Sequence, residues 1–151
     1  MDRKQKAIDL FHEGYNCAQA VFAAFADVMG IDTEFALKLS SSFGGGMGRM
    51  REVCGACSGA FMVLGALYGN TNSDNQSKMK HYELVRYAAE EFKKINGSII
   101  CRELLDGIDT TTPGNAPQER TAEYYKKRPC DMLVGDAAEI VEKIIAEKGI
   151  K

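Results

Sequence analysis

The sequence predicts an all-α fold, a single-domain helical bundle of about five to seven helices around a central helix rich in glycine and alanine. Apolar residues recur three and four positions apart in several segments, and no stretch alternates long enough to predict a strand. Residues 53–69 form one uncharged run, which is typical of a helix that is buried on most sides. The 151 residues, of which 26% are charged, suit one domain spanning residues 1–151.

Helical periodicity predicts three helices in the first third of the chain, over residues 2–13, residues 17–29 and from residue 32 or 33 to about residue 42. Gly14 and Gly30 follow the first two, as expected where a helix ends. The side chain of Asn16 can cap the second helix by accepting a hydrogen bond from a free backbone N–H group. The glycines at residues 44–46 stop the third.

The central helix is predicted over residues 51–68. Gly55 and Gly59 are four residues apart, and so are Gly65 and Gly69. Small residues at this spacing lie on one helix face and let a second backbone approach closely. Both glycine pairs are therefore expected to mark contacts with other helices.

Four more segments complete the predicted fold, at residues 74–95, 102–105, 118–127 and 131–147. The first is a long amphipathic helix, which Asn96 and Gly97 end. Its expected apolar positions are Met79, Tyr82, Val85, Ala89 and Phe92. The second is a short helix, the third is weakly helical, and the fourth is the last amphipathic helix. Residues 106–117, with three threonines and two prolines, predict a long loop.

Composition excludes several classes of function. The formal net charge is −2 and no basic stripe interleaves with aromatic residues, so no nucleic-acid partner is expected. The first residues contain no apolar signal segment, which predicts a cytoplasmic protein. The run 53–69 reaches the lower limit for a membrane span, but four glycines dilute it. A buried core helix, and no membrane span, is the better interpretation.

The chain has five cysteines, at Cys17, Cys54, Cys57, Cys101 and Cys130. In a reducing compartment they favour redox or metal chemistry over permanent disulfides. Cys54 and Cys57 are three apart at the predicted start of the central helix, where they share a face. Free N–H groups and the positive end of the helix dipole stabilise a thiolate there and raise its reactivity.

Four of the cysteines lie at or near predicted helix starts. These four dispersed cysteines are Cys17, Cys54, Cys101 and Cys130. Helix starts can converge in space, so the same four residues are an alternative metal site, for zinc or an iron–sulfur cluster.

Other polar residues near the cysteines have two interpretations each. The glycines at residues 44–48 can cradle an anion, but a tight turn that brings the backbone close to the cysteine helix is favoured. Arg49 and Arg51 either lower a thiol pKa and recruit an anionic partner or are solvated charges. His12 and His81 are expected in surface or capping roles.

The order of these motifs resembles a known family. Asn16-Cys17-Ala18-Gln19 is followed by Gly44-Gly45-Gly46-Met47-Gly48, then by Cys54-Gly55-Ala56-x-x-Gly59, and finally by Cys101 and Cys130. This series is similar to that of the redox-active proteins named for the cysteine pattern C_GCAxxG_C_C. The resemblance implies a helical fold, a redox role, and the four dispersed cysteines as the family's own. Cys57 occupies a variable position of that motif.

The first hypothesis is therefore a cytoplasmic thiol-based redox protein. If it is an enzyme, the expected class is a thiol–disulfide oxidoreductase. Cys54 would be the attacking thiolate, and Cys57 or a spatially adjacent cysteine would resolve the mixed disulfide. Its expected partner is a redox protein or a small thiol, and a homodimer is left open. The second hypothesis is metal or cluster binding by the four dispersed cysteines. The third is a helical interaction module with inert cysteines.

Overall fold

Helices account for nearly all regular structure in the computed structural model, which describes residues 2–105, 120 and 129–150. The described α-helices are α1 (Arg3–His12), α2 (Cys17–Ala23), α3 (Ala26–Met29), α4 (Thr33–Ser40), α5 (Gly55–Tyr68), α6 (Asn75–Asn96), α7 (Cys101–Leu104) and α8 (Cys130–Lys148). A single 3-10 turn, Ser41–Phe43, follows α4. Within these residues the only extended pairing is one isolated antiparallel bridge between Val53 and Ile100. The all-α prediction is confirmed.

Side-chain caps fix several helix starts. Asn16 and Gln19 form a reciprocal capping box, in which each side chain accepts a hydrogen bond from the other residue's backbone N–H, at 2.9 and 3.1 Å. Asp32 and Asp74 cap α4 and α6 in one direction only, each by accepting a hydrogen bond from a backbone N–H three residues further along the chain. Each such cap typically stabilises a helix by about 1 kcal/mol. The sequence predicted the cap of α2 and the start of α4 correctly.

Two predicted helix boundaries are wrong. The helix expected over residues 17–29 is divided, because α2 ends at Ala23 and Phe25, with φ −111° and ψ 12°, lies outside helical geometry. Phe25 is fully buried, so packing of its ring in the core overrides local helix propensity.

The central helix begins at Gly55 rather than at residue 51. Arg51 has a φ of 63°, which is incompatible with a right-handed helix. The next residues pair with the segment before α7, since the Cys54 N–H donates to the Ile99 carbonyl at 2.7 Å and the Cys101 N–H donates to the Glu52 carbonyl at 2.6 Å. This pairing fixes Cys54 as the N-cap of α5 and brings the start of α7 beside it.

The apolar face predicted for α6 is also wrong in its first half. Met79 and Tyr82 are 62% and 60% exposed, whereas Ala88 and Phe92 are buried. The helix packs against α5 and α8. Residues 75–80 are almost all exposed, so the buried part of its contact lies further along the helix.

The core is organised around α2 and α5, which pack closely on each other. A Cβ atom at Gly55 would lie 3.0 Å from the Phe43 carbonyl oxygen, and one at Gly59 would lie 2.8 Å from the Ala18 carbonyl oxygen. The prediction that this glycine pair admits a second backbone is therefore correct. The prediction for Gly65 and Gly69 is wrong, because a Cβ at Gly65 would meet nothing within 4 Å.

Helix α5 also contacts α3, α6 and α8, which agrees with its predicted central position. Helices α1 and α8 pack along each other and close the bundle on another side. Among the described helices, none is long and apolar enough to cross a membrane. The loop predicted over residues 106–117 and most of the weak helix predicted over residues 118–127 lie outside the described residues.

Candidate functional site

All four dispersed cysteines are located at helix starts. Cys17, Cys101 and Cys130 are the first residues of α2, α7 and α8, and Cys54 is the N-cap of α5. The four line one cavity of about 670 Å³. Cys57 lies in the first turn of α5, is 2% exposed, and is not among the described residues that line the cavity. Sulfur atoms separated by up to 113 positions thus face a common space.

A glycine-rich loop, residues 44–52, covers part of this cavity. A Cβ at Gly46 would lie 2.7 Å from the Cβ of Cys101, and a Cβ at Gly44 would lie 2.3 Å from the Cγ of Asn16. Only glycine fits at either position. The loop therefore brings its backbone into close contact with Cys101 and with Asn16, the cap of α2. This agrees with the tight turn that the sequence favoured over an anion cradle.

The same loop has an unusual backbone. Residues 45–49 and Arg51 all have φ between 56° and 71°, in the left-handed region. Three of them, Met47, Arg49 and Arg51, are not glycine, and each costs about 1–2 kcal/mol relative to a right-handed conformation. Hydrogen bonds within the loop hold it, including Glu52 N–H to the Gly46 carbonyl at 2.9 Å. Strain of this kind is concentrated at functional sites.

Cys54 and Cys57 lie three residues apart at the start of α5, and their thiols interact electrostatically. The interaction with Cys57 lowers the pKa of Cys54; burial opposes this, and the backbone N–H groups of Ala56 and Cys57 support it. The same interaction, together with burial, raises the pKa of Cys57. The pair is therefore asymmetric. Cys54 lines the cavity and favours the thiolate form, whereas Cys57 does not belong to the described lining and stays protonated.

Cys17 and Cys130, at the starts of α2 and α8, are a second pair of interacting thiols. The interaction with Cys130, then burial, raises the pKa of Cys17 well above its ordinary value. Cys101 belongs to neither pair, and its Sγ accepts a hydrogen bond from the Arg51 guanidinium, with Nη1 3.6 Å from Sγ. Burial raises the pKa of Cys101 and the nearby Arg51 charge partly offsets this. None of the five cysteines, all of which lie in described parts of the chain, is joined in a disulfide.

No described acid or base other than the thiols is placed to transfer protons at this cavity. Nε2 of His12 lies 3.4 Å from Oδ2 of Asp131, and Glu52 pairs with Arg102. His81 is on α6 and is half-buried rather than on the surface, with its Nδ1 enclosed. The capping or surface role predicted for His12 fits its half-exposed side chain.

The cysteine arrangement that the structure describes does not match the needs of a single metal ion. Within the described residues, no group of three or more His, Cys, Asp and Glu side chains is placed to hold one. The four dispersed cysteines instead surround an open volume. Their sulfurs are the ligands that zinc and iron–sulfur centres use, so the residue types fit such a group while the present spacing does not enclose a single ion.

Sequence reasoning missed Arg120 as a member of this site. Its guanidinium lies over the Phe11 ring, 4.2 Å from the centroid, and donates hydrogen bonds to the Phe11 and Tyr15 carbonyls. These contacts span more than 100 positions in the chain. The residue stands in a weakly periodic segment, and no local pattern distinguishes it from a surface arginine.

Alkylation of Cys54 is expected to occur at a lower pH than alkylation of Cys17, Cys57 and Cys101. Its pKa is lowered, so its thiolate fraction at pH 7 exceeds that of an ordinary thiol with a pKa of about 8.5. Cys17, Cys57 and Cys101 have raised pKa values and stay protonated. Iodoacetamide labelling from pH 5 to 9, with each cysteine quantified by mass spectrometry, measures this order. The urea-unfolded chain is the control, and a Cys54 profile that coincides with it contradicts the prediction.

Comparison with known proteins gives three findings. The family model described as "Putative redox-active protein (C_GCAxxG_C_C)" matches residues 15–144. A protein of Archaeoglobus fulgidus, described as an uncharacterized protein, is 26% identical over 147 aligned positions, which cover 91% of this chain and 89% of that relative. No solved structure matches the chain.

Proposed function

Since the chain belongs to the C_GCAxxG_C_C family, we propose that it carries out thiol–disulfide exchange, with Cys54 as nucleophile and Cys57 as the resolving thiol. The observation that carries the proposal is the asymmetric thiol pair at the start of α5, whose low-pKa member faces a cavity. A thiolate, not a thiol, attacks a disulfide, so this asymmetry assigns the two roles.

The proposed reaction has two steps. The Cys54 thiolate attacks one sulfur of a substrate disulfide, the substrate S–S bond breaks, and one substrate half leaves as a thiolate that takes up a proton. Cys57 then loses its proton and attacks Sγ of Cys54, which forms the Cys54–Cys57 disulfide and releases the second half as a thiol. The substrate gains two electrons and two protons, and the protein dithiol loses them. Two equivalents of a small thiol, or the dithiol of a redox protein, then reduce the Cys54–Cys57 disulfide and are themselves oxidised to a disulfide.

Cys17 and Cys130 have a supporting role in this proposal. Both line the cavity and their thiols interact, so we infer that they are a second dithiol that can be oxidised by two electrons. Cys101 has no such sulfur partner among its described contacts, and its position beside Arg51 suits a single thiol. A reducing cytoplasm, where glutathione and thioredoxin keep thiols reduced, is the compartment in which this chemistry would turn over.

Stepwise oxidation tests the proposed function. Reduced protein is titrated anaerobically with bis(2-hydroxyethyl) disulfide, quenched with acid, alkylated and mapped by peptide mass spectrometry. We expect an internal Cys54–Cys57 disulfide first, then Cys17–Cys130, with Cys101 still open to alkylation, because disulfides form between thiols that already touch. Five unchanged thiols after excess oxidant would contradict the proposal, and so would a first disulfide that excludes Cys54.

A second candidate is a metal or iron–sulfur protein that uses the four dispersed cysteines. The observation in its favour is that the four dispersed cysteines line the cavity, whereas the buried Cys57 is not part of the described lining. Metal analysis of protein purified without air or chelator distinguishes the two candidates. Stoichiometric iron or zinc that is lost in Cys101→Ser but retained in Cys57→Ser would favour the metal site, because the two variants remove a cavity thiol and a buried one. Metal at trace level in wild-type protein would favour thiol chemistry.

A further inference from the structure

Two dithiols meet at the cavity. Cys54 of the first dithiol lines it, and so do both members of the second, Cys17 and Cys130. The proposed exchange oxidises only Cys54 and Cys57, which leaves two further reducing electrons in the thiols beside them. Whether those electrons can reach Cys54 depends on how the helix starts are arranged.

The helices that carry these cysteines meet near their starts. Helices α2, α5 and α8, which begin at or directly after Cys17, Cys54 and Cys130, pack against one another in all three pairings. A Cβ atom at Gly55 would lie 3.2 Å from the Cβ of Cys17 and 3.1 Å from the backbone nitrogen of Ala18. Cys17 therefore packs directly against the residue that follows Cys54, because glycine has no side chain to separate the two helices.

Charge interactions also link the second dithiol to Cys54. The interaction with Cys130 and burial are the main causes of the raised pKa of Cys17, and the charge of Cys54 adds to them. The pKa of Cys54 is lowered mainly by Cys57, and the charge of Cys130 opposes this. Coulomb energies fall with distance, so these effects agree with the position of the three sulfurs at one cavity.

The relative stability of the two reduced pairs sets the direction of electron flow. Stabilising the thiolate of a dithiol favours its reduced form and makes its disulfide a stronger oxidant. The pKa of Cys54 is lowered, whereas the pKa of Cys17 is raised. Electrons should therefore flow from Cys17 and Cys130 toward the Cys54–Cys57 disulfide.

We propose that Cys17 and Cys130 are an internal electron donor, which reduces the Cys54–Cys57 disulfide once a substrate has oxidised it. This inference rests on the proposed thiol–disulfide function and adds two catalytic residues and a second exchange step. The internal transfer allows one chain to reduce two substrate disulfides before an external thiol is required.

The transfer has two steps that balance in electrons and protons. Cys17 loses its proton and attacks Sγ of Cys54, the Cys54–Cys57 bond breaks, and Cys57 leaves as a thiolate that takes up a proton. Cys130 then loses its proton and attacks Sγ of Cys17, which forms the Cys17–Cys130 disulfide and releases Cys54 as a thiolate. Two electrons pass from the second dithiol to the first, and the nucleophile is restored. Because Cys17 stays protonated at neutral pH, this transfer should be slower than formation of the Cys54–Cys57 disulfide.

A pulse experiment on the reduced wild-type protein follows the transfer. The protein receives a brief anaerobic pulse of bis(2-hydroxyethyl) disulfide, and desalting then removes the probe and the released thiol. Samples are quenched with acid at intervals, alkylated and mapped by peptide mass spectrometry. We expect the Cys54–Cys57 disulfide to be the first product and then to decay as Cys17–Cys130 forms, until the second disulfide exceeds the first by at least about tenfold. Dilution of the protein should not change the rate, because the transfer occurs within one chain.

Two substitutions separate the transfer from direct oxidation of the second dithiol. Cys130→Ser removes the final acceptor of the disulfide bond, so the Cys54–Cys57 disulfide should persist after the pulse. Cys54→Ser removes the route, so formation of Cys17–Cys130 under excess probe should slow by at least about tenfold relative to wild type. The urea midpoint of each variant checks that its fold is intact.

The outcomes distinguish a failure of the transfer from a failure of the proposed function. A Cys54–Cys57 disulfide that stays in place in wild type would overturn the transfer and leave thiol–disulfide exchange intact. A Cys17–Cys130 disulfide that forms at the wild-type rate in Cys54→Ser would do the same, and so would a transfer rate that rises with protein concentration. Five unchanged thiols after excess probe would overturn the proposed function itself.

Discussion

Replacing Cys54 with serine is expected to lower the rate of reaction with small disulfides at pH 7 by at least about 100-fold, because it removes the nucleophile. Three of the remaining thiols, Cys17, Cys57 and Cys101, have raised pKa values and are protonated at this pH. A protonated thiol is a poor nucleophile, so these residues should not substitute for Cys54. The rate is measured by stopped mixing of the reduced protein with bis(2-hydroxyethyl) disulfide, followed by alkylation and mass analysis.

Cys57→Ser is the matched control for this variant. It keeps the nucleophile but removes the resolving thiol, so the mixed disulfide between Cys54 and the probe should accumulate instead of being released. Both residues are buried, and both variants replace sulfur with oxygen, so their effects on packing are comparable. A Cys54→Ser rate within a few-fold of wild type, with the fold shown intact by its urea midpoint, would assign the nucleophile to a different residue.

Adding one methyl group at Gly59 and at Gly65 is expected to change the free energy of unfolding in opposite directions. A Cβ at residue 59 would lie 2.8 Å from the Ala18 carbonyl oxygen and 3.1 Å from the Cβ of Val21, so α2 and α5 must move apart. Overpacking of this kind costs about 1–3 kcal/mol. A Cβ at residue 65 meets nothing within 4 Å, so Gly65→Ala should stabilise α5 by about 1 kcal/mol through helix propensity.

Urea unfolding of the reduced proteins, followed by circular dichroism, measures both changes. Both substitutions gain the same helix propensity from alanine, because both sites lie in α5. The difference between their changes in the free energy of unfolding therefore measures the contact between α2 and α5. Gly59→Ala should also slow formation of the Cys17–Cys130 disulfide, because a shift of α2 moves Cys17 relative to Cys130 at the start of α8. Equal stabilisation by both substitutions would show that α2 and α5 are not in contact at Gly59.

Much of the helical framework was predictable because it depends on local interactions. Asn16 was identifiable as a cap since its side chain bonds to a backbone group three residues away. Gly97 ends α6 in the left-handed conformation that glycine adopts most readily. The division at Phe25 and the exposure of Met79 were not predictable, because neighbours distant in the chain decide whether a given apolar side chain is covered.

The candidate site also has some features that the local sequence predicts and others that depend on tertiary contacts. Helix starts at Cys17, Cys101 and Cys130 follow from local periodicity to within one residue. The late start of α5 does not, because it depends on the pairing of residues 52–54 with residues 99–101. Arg120 is held at the cavity by hydrogen bonds to the carbonyls of Phe11 in α1 and of Tyr15 after it. Both partners are more than 100 positions away in the chain, so no local pattern predicts this position.

The sequence by itself determined the helical class, the cap of α2, and the location of thiols at helix starts, since each of these depends on side chains within about four positions of one another. Only the tertiary structure decided which thiols meet. In the folded chain the thiol of Cys54 interacts with that of Cys57, the thiol of Cys17 interacts with that of Cys130, and the sulfur of Cys101 accepts a hydrogen bond from Arg51. The physical reason is that glycines at residues 46, 55 and 59 permit approaches of backbone to backbone and backbone to sulfur-bearing side chain that no local rule specifies.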